Sequence, residues 1–349
     1  MSAIRIACVG AGHHASWTLY PTLQYIPEVE MVAICDLNET KSAIASKRFG
    51  FARTYTDYAQ MLAKETVDAV ICCGGPALHA LVTETCIRDR LPVFTEKPPA
   101  LSAADTKRLA ELADRMDGKV MVGFMHRYAT VTEWAKKAMQ TPEFGTVVML
   151  SAREGIWGAP AKHLVIDSGI HHIDLLLALG GSVDWLFAAR NSFGQKRTGI
   201  AVILHFKSGI VGQLSINSLE SLSTPSDVVE IHGNNGQWIR TDNWNKATWF
   251  KDFAPIHEAP EDPKDSIGLY EGPVDPRDSC LVYDHSWTAA ATNRATLLQG
   301  YVGEFRHFFD CLTRKTKPKP DLWDGYRAMA IVEAINQSAD TCEKVWLTP

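Results

Sequence analysis

The 349-residue sequence has no apolar run long enough to span a bilayer, no block of basic residues and no C-x-x-C pair. The first absence argues against a membrane protein. The second, with a net charge of −5 and a pI of about 6.2, argues against nucleic acid and anionic membranes as partners. The third leaves eight scattered cysteines, several inside strand-like runs where a free thiol serves as a small core residue. A reduced, cytoplasmic protein is therefore expected rather than a disulfide scaffold. Residues Met1 to Arg5 lead straight into a strand pattern and show no charged-then-apolar leader.

What is present is ordinary folded-protein material, 46% hydrophobic and 21% charged, in a chain long enough for two domains. Ile4 to Val9 reads as a strand ending at Gly10-Ala11-Gly12-His13-His14-Ala15, and a helical pattern follows. That is G-x-G-x-x-G/A between a strand and a helix. Gly10 permits the tight turn, Gly12 lets a pyrophosphate approach the backbone, and Ala15 allows close helix–strand packing. His13 and His14 fall within the cofactor-facing turn, where free N–H groups and the helix dipole attract phosphate.

A second strand, Glu30 to Cys35, ends at Asp36, 24 residues after Gly12. A carboxylate there grips ribose hydroxyls and repels a 2′-phosphate, favouring NAD, although Lys41 and Arg48 leave NADP open. The alternation continues through helices 39–49 and 57–65 and strand 68–73. That strand breaks at Cys73-Gly74-Gly75-Pro76, where small residues would let a cofactor pass. His79 opens the next helix and either faces the ligand or caps. Strand Leu91 to Phe94 ends in Glu96-Lys97-Pro98, at the carboxyl end of a parallel strand where such sheets bind ligands. A helix from Ala103 to Met116, a strand from Val120 to Phe124 and the segment Met125-His126-Arg127-Tyr128 complete a doubly wound parallel sheet. Arg127 is a candidate contact to cofactor or substrate, and Tyr128 a candidate core residue.

From Thr146 the pattern changes to β-branched runs: 146–152, 183–189, 199–206, 210–218 and 228–233, with Lys207-Ser208-Gly209 as a hairpin turn. These predict an α+β domain on one open sheet. One helix among them, Ile166 to Leu176, carries chemistry. Asp167 and His171 are four apart, sharing a face at hydrogen-bonding distance, and a carboxylate that fixes an imidazole's tautomer makes a general base. His163, Asp167 and His171 also have helical metal-ligand spacing, but no further ligand completes a set, and no metal is expected. His172 and Asp174 lie on other faces. Trp157 reads as a ring lying against a sugar or as a core plug. Residues 243–296 are irregular but rich in aromatics, a lid or an oligomer arm. Helices 301–313 and 324–344 close the chain.

With these residues placed, the chain resembles the glucose–fructose oxidoreductase and myo-inositol dehydrogenase (Gfo/Idh/MocA) family. The likeness rests on the Gly10-Ala11-Gly12 turn, Glu96-Lys97-Pro98, Gly123 to Tyr128 and Asp167-x-Gly169-x-His171-x-Ile173-Asp174. It implies a Rossmann domain over 1–125 and a predominantly antiparallel, open-faced sheet domain over 126–349, with helices 324–345 returning to the first. It further implies hydride transfer between NAD and a secondary alcohol of a sugar, cyclitol or derivative, and a homodimer or homotetramer through the open sheet. By position, Lys97 matches the catalytic lysine, with Pro98 in a cis peptide. Asp167 and His171 match the acid/base pair, and in the hydride-transfer mechanism Glu96 would help position nicotinamide or Lys97. Two alternatives follow the same fold: tightly held NAD used for glycoside cleavage or sugar–sugar exchange, and a silent NAD- and sugar-sensing regulator. Gly74-Gly75-Pro76 and His13-His14 depart from the family's usual loops.

Overall fold

The computed structural model describes residues 3–220, 226–251, 280–284 and 296–347. Strand β1 (Ile4–Val9) is followed by a π-helical turn at Ala15–Leu19 that runs into α1 (Tyr20–Leu23). Then come β2 (Val29–Cys35), α2 (Glu39–Phe49), β3 (Arg53–Tyr55), α3 (Tyr58–Lys64), β4 (Ala69–Cys72) and α4 (Pro76–Arg88). Strand β5 (Val93–Glu96), α5 (Ala103–Met116) and β6 (Val120–Gly123) complete the unit.

The six strands are all parallel, in the order β3-β2-β1-β4-β5-β6. Strands β4, β5 and β6 are buried at every position, as a sheet covered by helices on both faces requires. The helices begin where side chains accept orphan N–H groups: Asn38 for α2, Asp57 for α3 and Ser102 for α5.

After a 3₁₀ turn at Met125–Tyr128 and α6 (Thr130–Met139), the second sheet opens with β7 (Val147–Gly155). Helix α7 (Ile170–Gly180) precedes β8 (Val183–Ser192), β9 (Thr198–Phe206), β10 (Val211–Asn217), β11 (Asp227–Gly233), β12 (Trp238–Asp242), β13 (Lys246–Phe250) and β14 (Cys280–Asp284). Helices α8 (Tyr301–Arg314) and α9 (Leu322–Thr341) and the short β15 (Val345–Trp346) end the described chain. Sheet order is β14-β13-β12-β11-β7-β10-β9-β8-β15, antiparallel except for the β7–β10 pair.

Strand β9 shows why one face stays open. Ile200, Val202, Leu204 and Phe206 are buried, while Ala201, Ile203 and His205 point the other way. Gly209, at φ +86°, closes the β9–β10 hairpin expected at Lys207-Ser208-Gly209.

Residues 243–296, expected to be irregular, supply strands β13 and β14, while 252–279 and 285–295 lie outside the described residues. The β13 pattern is readable only in the fold, because Ala247 is buried against Ala129 and Val131 and Trp249 lies against Phe144. Strand β3 and strand β15 were also absent from the sequence reading, being three and two residues long. Helix α9 ties the two sheets together. Its Glu333 accepts the Ala103 N–H at 2.7 Å, and its Ser338 accepts the Ala188 N–H at 2.8 Å. Among the described residues no helix is long and apolar enough to cross a membrane.

Candidate active site

The carboxyl ends of β1, β4 and β5 form one wall of the site. Gly10 sits at φ +98°, and a Cβ there would lie 2.0 Å from the Cys73 carbonyl oxygen, so no other residue fits. The buried Tyr20 hydroxyl donates to the Gly10 carbonyl from below. A Cβ at Gly12, by contrast, would meet no protein atom within 4 Å. The loop is thus packed on its inner side and open at Gly12, the arrangement a pyrophosphate needs. Asp36 accepts the Ala11 N–H at 2.7 Å on Oδ2 and the Asn38 N–H at 2.9 Å on Oδ1. Its remaining lone pairs suit a ribose diol beside the loop.

On β4's side, the Gly74 N–H donates to Nε2 of His79 at 2.9 Å, so Nδ1 carries the proton and donates to the Pro98 carbonyl at 2.8 Å. His79 is 1% exposed, and burial holds it below the usual imidazole range. It clamps the β4 loop to the segment after β5. Cys73 is buried too, its thiol pushed well above the ordinary range by burial.

Strand β5 ends in the buried Glu96. Burial opposes its charge, but His14 and Lys97 outweigh that and hold its carboxyl below the usual range. His14 Nε2 stands 3.4 Å from Glu96 Oε1, and the Lys97 N–H donates to Oε2 at 3.1 Å. The Lys97–Pro98 peptide is cis. The Lys97 ammonium reaches across to the second sheet's side, donating to the Asp167 carbonyl at 2.5 Å.

The facing wall is built from α7 and the turn after β6. His171 is buried, with Nδ1 enclosed and lacking any partner. Burial, then the neighbouring Lys97 ammonium and His126, hold it well below the imidazole range, so the ring is neutral. His126 lies 4.9 Å from it, ring centre to ring centre, and is pulled down to about 4, mainly by burial. His172, with no side-chain exposure, lies between Glu154 (3.1 Å from Nδ1) and Asp227 (3.2 Å from Nε2). Burial works against its charge, but the two carboxylates raise it to about 10, so it is an imidazolium.

Sequence comparison places this architecture. The pattern of an oxidoreductase family with an NAD-binding Rossmann fold matches residues 4–124, and that of the same family's C-terminal alpha/beta domain matches residues 157–347. The chain belongs to the Gfo/Idh/MocA oxidoreductases. It is 26% identical to an inositol 2-dehydrogenase of Salmonella paratyphi B over 97% of this chain and 95% of that protein. It is 24% identical to a D-apiose dehydrogenase of Paraburkholderia graminis, covering 90% and 82%. In fold it is similar to a dehydrogenase from Chromobacterium violaceum, with a TM-score of 0.82 at 19% identity over 98% of this chain and 97% of that one. It is also similar to GenD2 from gentamicin A biosynthesis, crystallised with NAD, with a TM-score of 0.76 at 20% identity over 100% and 97%.

Against this family frame several expected site residues are elsewhere. Asp167 and His171 do not hydrogen-bond. The chain makes a π-helical turn at Leu164–Gly169 before α7 begins, so four residues no longer return to the same face. The Asp167 carboxylate is 61% exposed and lies 3.8 Å from His163 instead. Arg127 is committed to an interior ion pair through Nε and Nη2. It holds the fully buried Asp174 in a two-point pair at 2.7 and 2.6 Å, with Asp324 at 3.3 Å. A buried carboxylate requires a countercharge, and burial still lifts Asp174 to about 6.

His79, with both nitrogens used within the protein, cannot offer one to a cofactor. His13 is exposed, its ring 5.6 Å from Trp17. Trp157 is 62% exposed in the loop after β7, which removes the core-plug reading. His126, Glu154, Asp227 and Trp244 escaped the sequence reading as site residues. The adjacent histidines His171 and His172 on an otherwise apolar helix were the available signal, since a buried charged ring needs partners from other strands.

Proposed function

We propose that the protein is an NAD-dependent dehydrogenase of a secondary alcohol in a sugar or cyclitol, with Lys97 and His171 as its catalytic residues. The observation that carries the reading is the Lys97 ammonium, anchored on the Asp167 carbonyl, acting on the buried, neutral His171 whose Nδ1 has no partner. When bound, NAD supplies the hydride acceptor, chemistry that the protein's own side chains lack. His171 takes the hydroxyl proton on Nε2, since Nδ1 is enclosed. Lys97 donates to the same oxygen as negative charge develops there, and the Asp167 carbonyl holds its ammonium in place. Glu96 neutralises the lysine end of the strand and fixes its first turn through the Lys97 N–H. Asp36 favours NAD over NADP by presenting a carboxylate where a 2′-phosphate would sit. The relatives named for inositol and D-apiose support a sugar or cyclitol substrate.

The open sheet face supports self-association. Met149, Phe187, Ile203 and Val211 are each 38–42% exposed on it. Trp185 stacks on His205, and Trp238 on both His232 and Phe250. A second copy laid face to face would cover these rows, and Ile203→Glu would then lower the mass measured by light scattering. The free, mostly buried cysteines support a reducing compartment.

The test is a screen with NAD and NADP against inositols, hexoses, uronic acids, sugar phosphates and glycosides. Lys97→Met and His171→Ala are each expected to cut kcat/KM by about 10²–10⁴-fold on whichever alcohol the wild type oxidises. Turnover within a few fold of wild type in both variants rejects the assignment.

A further inference from the structure

The interior next to His171 holds three metal-ligating side chains that hydride transfer does not use. His126 follows β6, His172 lies on α7, and Asp227 starts β11. All three are buried, and one ligand atom from each lies within 4.8 Å of the others. His126 Nε2 is 3.6 Å from Asp227 Oδ2, and His172 Nε2 is 3.2 Å from Asp227 Oδ1. Asp227 Oδ2 is enclosed in a side chain only 8% exposed, and the Trp244 indole beside it helps hold the carboxyl down while directing its N–H to His126 Nε2. Oδ1 of the same carboxylate is already paired with the His172 ring, so the enclosed Oδ2 opposite His126 Nε2 is the position that a cation shared with the two imidazoles would fill.

We propose that His126, His172 and Asp227 bind one divalent transition-metal cation beside the dehydrogenase centre. Two imidazoles and a carboxylate form a set that suits zinc, cobalt(II) or iron(II) better than magnesium or calcium, which prefer oxygen throughout. Two ligand atoms each about 2.1 Å from a common cation lie at most about 4.2 Å apart. In a tetrahedral site the separation is about 3.4 Å, so the widest pair, at up to 4.8 Å, closes by about 1.4 Å at most.

The outer shell is already built. Nδ1 of His172 faces Glu154 Oε2 at 3.1 Å, the carboxylate–histidine arrangement that orients a ligating ring. Asp227 is held by backbone, its N–H and that of Ser226 donating to Asn243 Oδ1 at 3.0 and 2.9 Å. On binding, the proton between His172 Nε2 and Asp227 leaves to solvent, and the metal takes its place. The Trp244 indole, which now donates to His126 Nε2 at 3.2 Å, gives up that lone pair. Three protein ligands leave a coordination position open, as catalytic sites do.

The rival explanation is that His172 is solely an ion-pair clamp between β7 and β11. Cobalt(II) titration of the full chelator-treated protein, followed by visible absorption and by bound metal after desalting, separates the two. The wild type is expected to take up one equivalent and to show the d–d bands of a low-coordinate nitrogen–oxygen site. Asp227→Asn and His126→Gln are each expected to weaken binding at least tenfold. Glu154→Gln, outside the ligand set, should retain the bands with a smaller loss of affinity. If the wild type shows no d–d bands and no bound cobalt after desalting, the clamp is the whole role and the proposal fails. That result stands even where a variant does not fold, and it leaves the dehydrogenase assay unaffected. Binding unchanged in Asp227→Asn and His126→Gln would equally overturn it.

Discussion

On the cofactor wall, Gly10, Ala11 and Gly74 are placed by backbone groups and by neutral or outward-facing side chains. On the facing wall, His172 and Arg127 are placed by four buried or half-buried carboxylates, drawn from α7, α9, β7 and β11. A glycine loop can be shaped by local sterics, so its parts stay close in sequence. Interior charge cannot be stabilised locally, because each ion needs a partner that only the fold delivers. The first wall should therefore fail by losing its ligand, and the second by losing its structure.

The largest effect that contrast predicts is at Arg127. Arg127→Met leaves the fully buried Asp174 without its two-point partner, while Asp324 keeps Arg327 at 2.6 Å and Lys319 at 3.3 Å, and a broken buried pair costs about 3–5 kcal/mol. Urea unfolding should show a loss of that size, and Asp174→Asn in the same chain should return part of it. If Arg127→Met unfolds like wild type but loses substrate affinity, the arginine belongs to ligand binding and the contrast collapses.

Gly10→Ala comes next. The φ of +98° and the 2.0 Å approach to the Cys73 carbonyl are both incompatible with a methyl group. Strain of about 1–3 kcal/mol is expected, and with it at least a tenfold loss of NAD affinity by calorimetry. Asp36→Ala should be gentler on the fold and more selective. Losing hydrogen bonds to a charged group of about 1.5–3 kcal/mol corresponds to a tenfold to hundredfold weaker NAD complex. The ratio of NAD to NADP affinity should fall at the same time, since the repelling carboxylate is gone. An unchanged ratio would show that Asp36 serves only to hold the Ala11 and Asn38 N–H groups.

The same division explains what could be read in advance. The parallel sheet, the Gly10–Gly12 turn, Asp36 and Glu96-Lys97 each sit at the end of an apolar run, so periodicity alone locates them. Helices α2 and α5 begin and end where their caps and apolar spacing place them. Strands β12 and β13 were missed because polar and aromatic residues are interspersed and only pairing reveals the buried rows. Asp227 and Trp244 reach His172 and His126 through β-sheet register, which no local pattern encodes. His79 falls in the first turn of α4 as expected, and of the two roles left open for it the structure shows a clamp between a backbone N–H and a carbonyl.

The smallest expected effect tests where the walls join. The spacing of Asp167 and His171 implied one helical face, but the π-helical turn at Leu164–Gly169 moves the carboxylate outward. What the structure uses from Asp167 is its carbonyl, which receives the Lys97 ammonium, and a side-chain change leaves that group in place. Asp167→Asn should therefore alter kcat/KM by less than about tenfold, against the 10²–10⁴-fold expected of a proton-transfer residue. Steady-state kinetics beside His171→Ala decide it. A loss in Asp167→Asn equal to that of His171→Ala would mean that the two side chains meet when the site is occupied, with the turn rewinding to an α-helix.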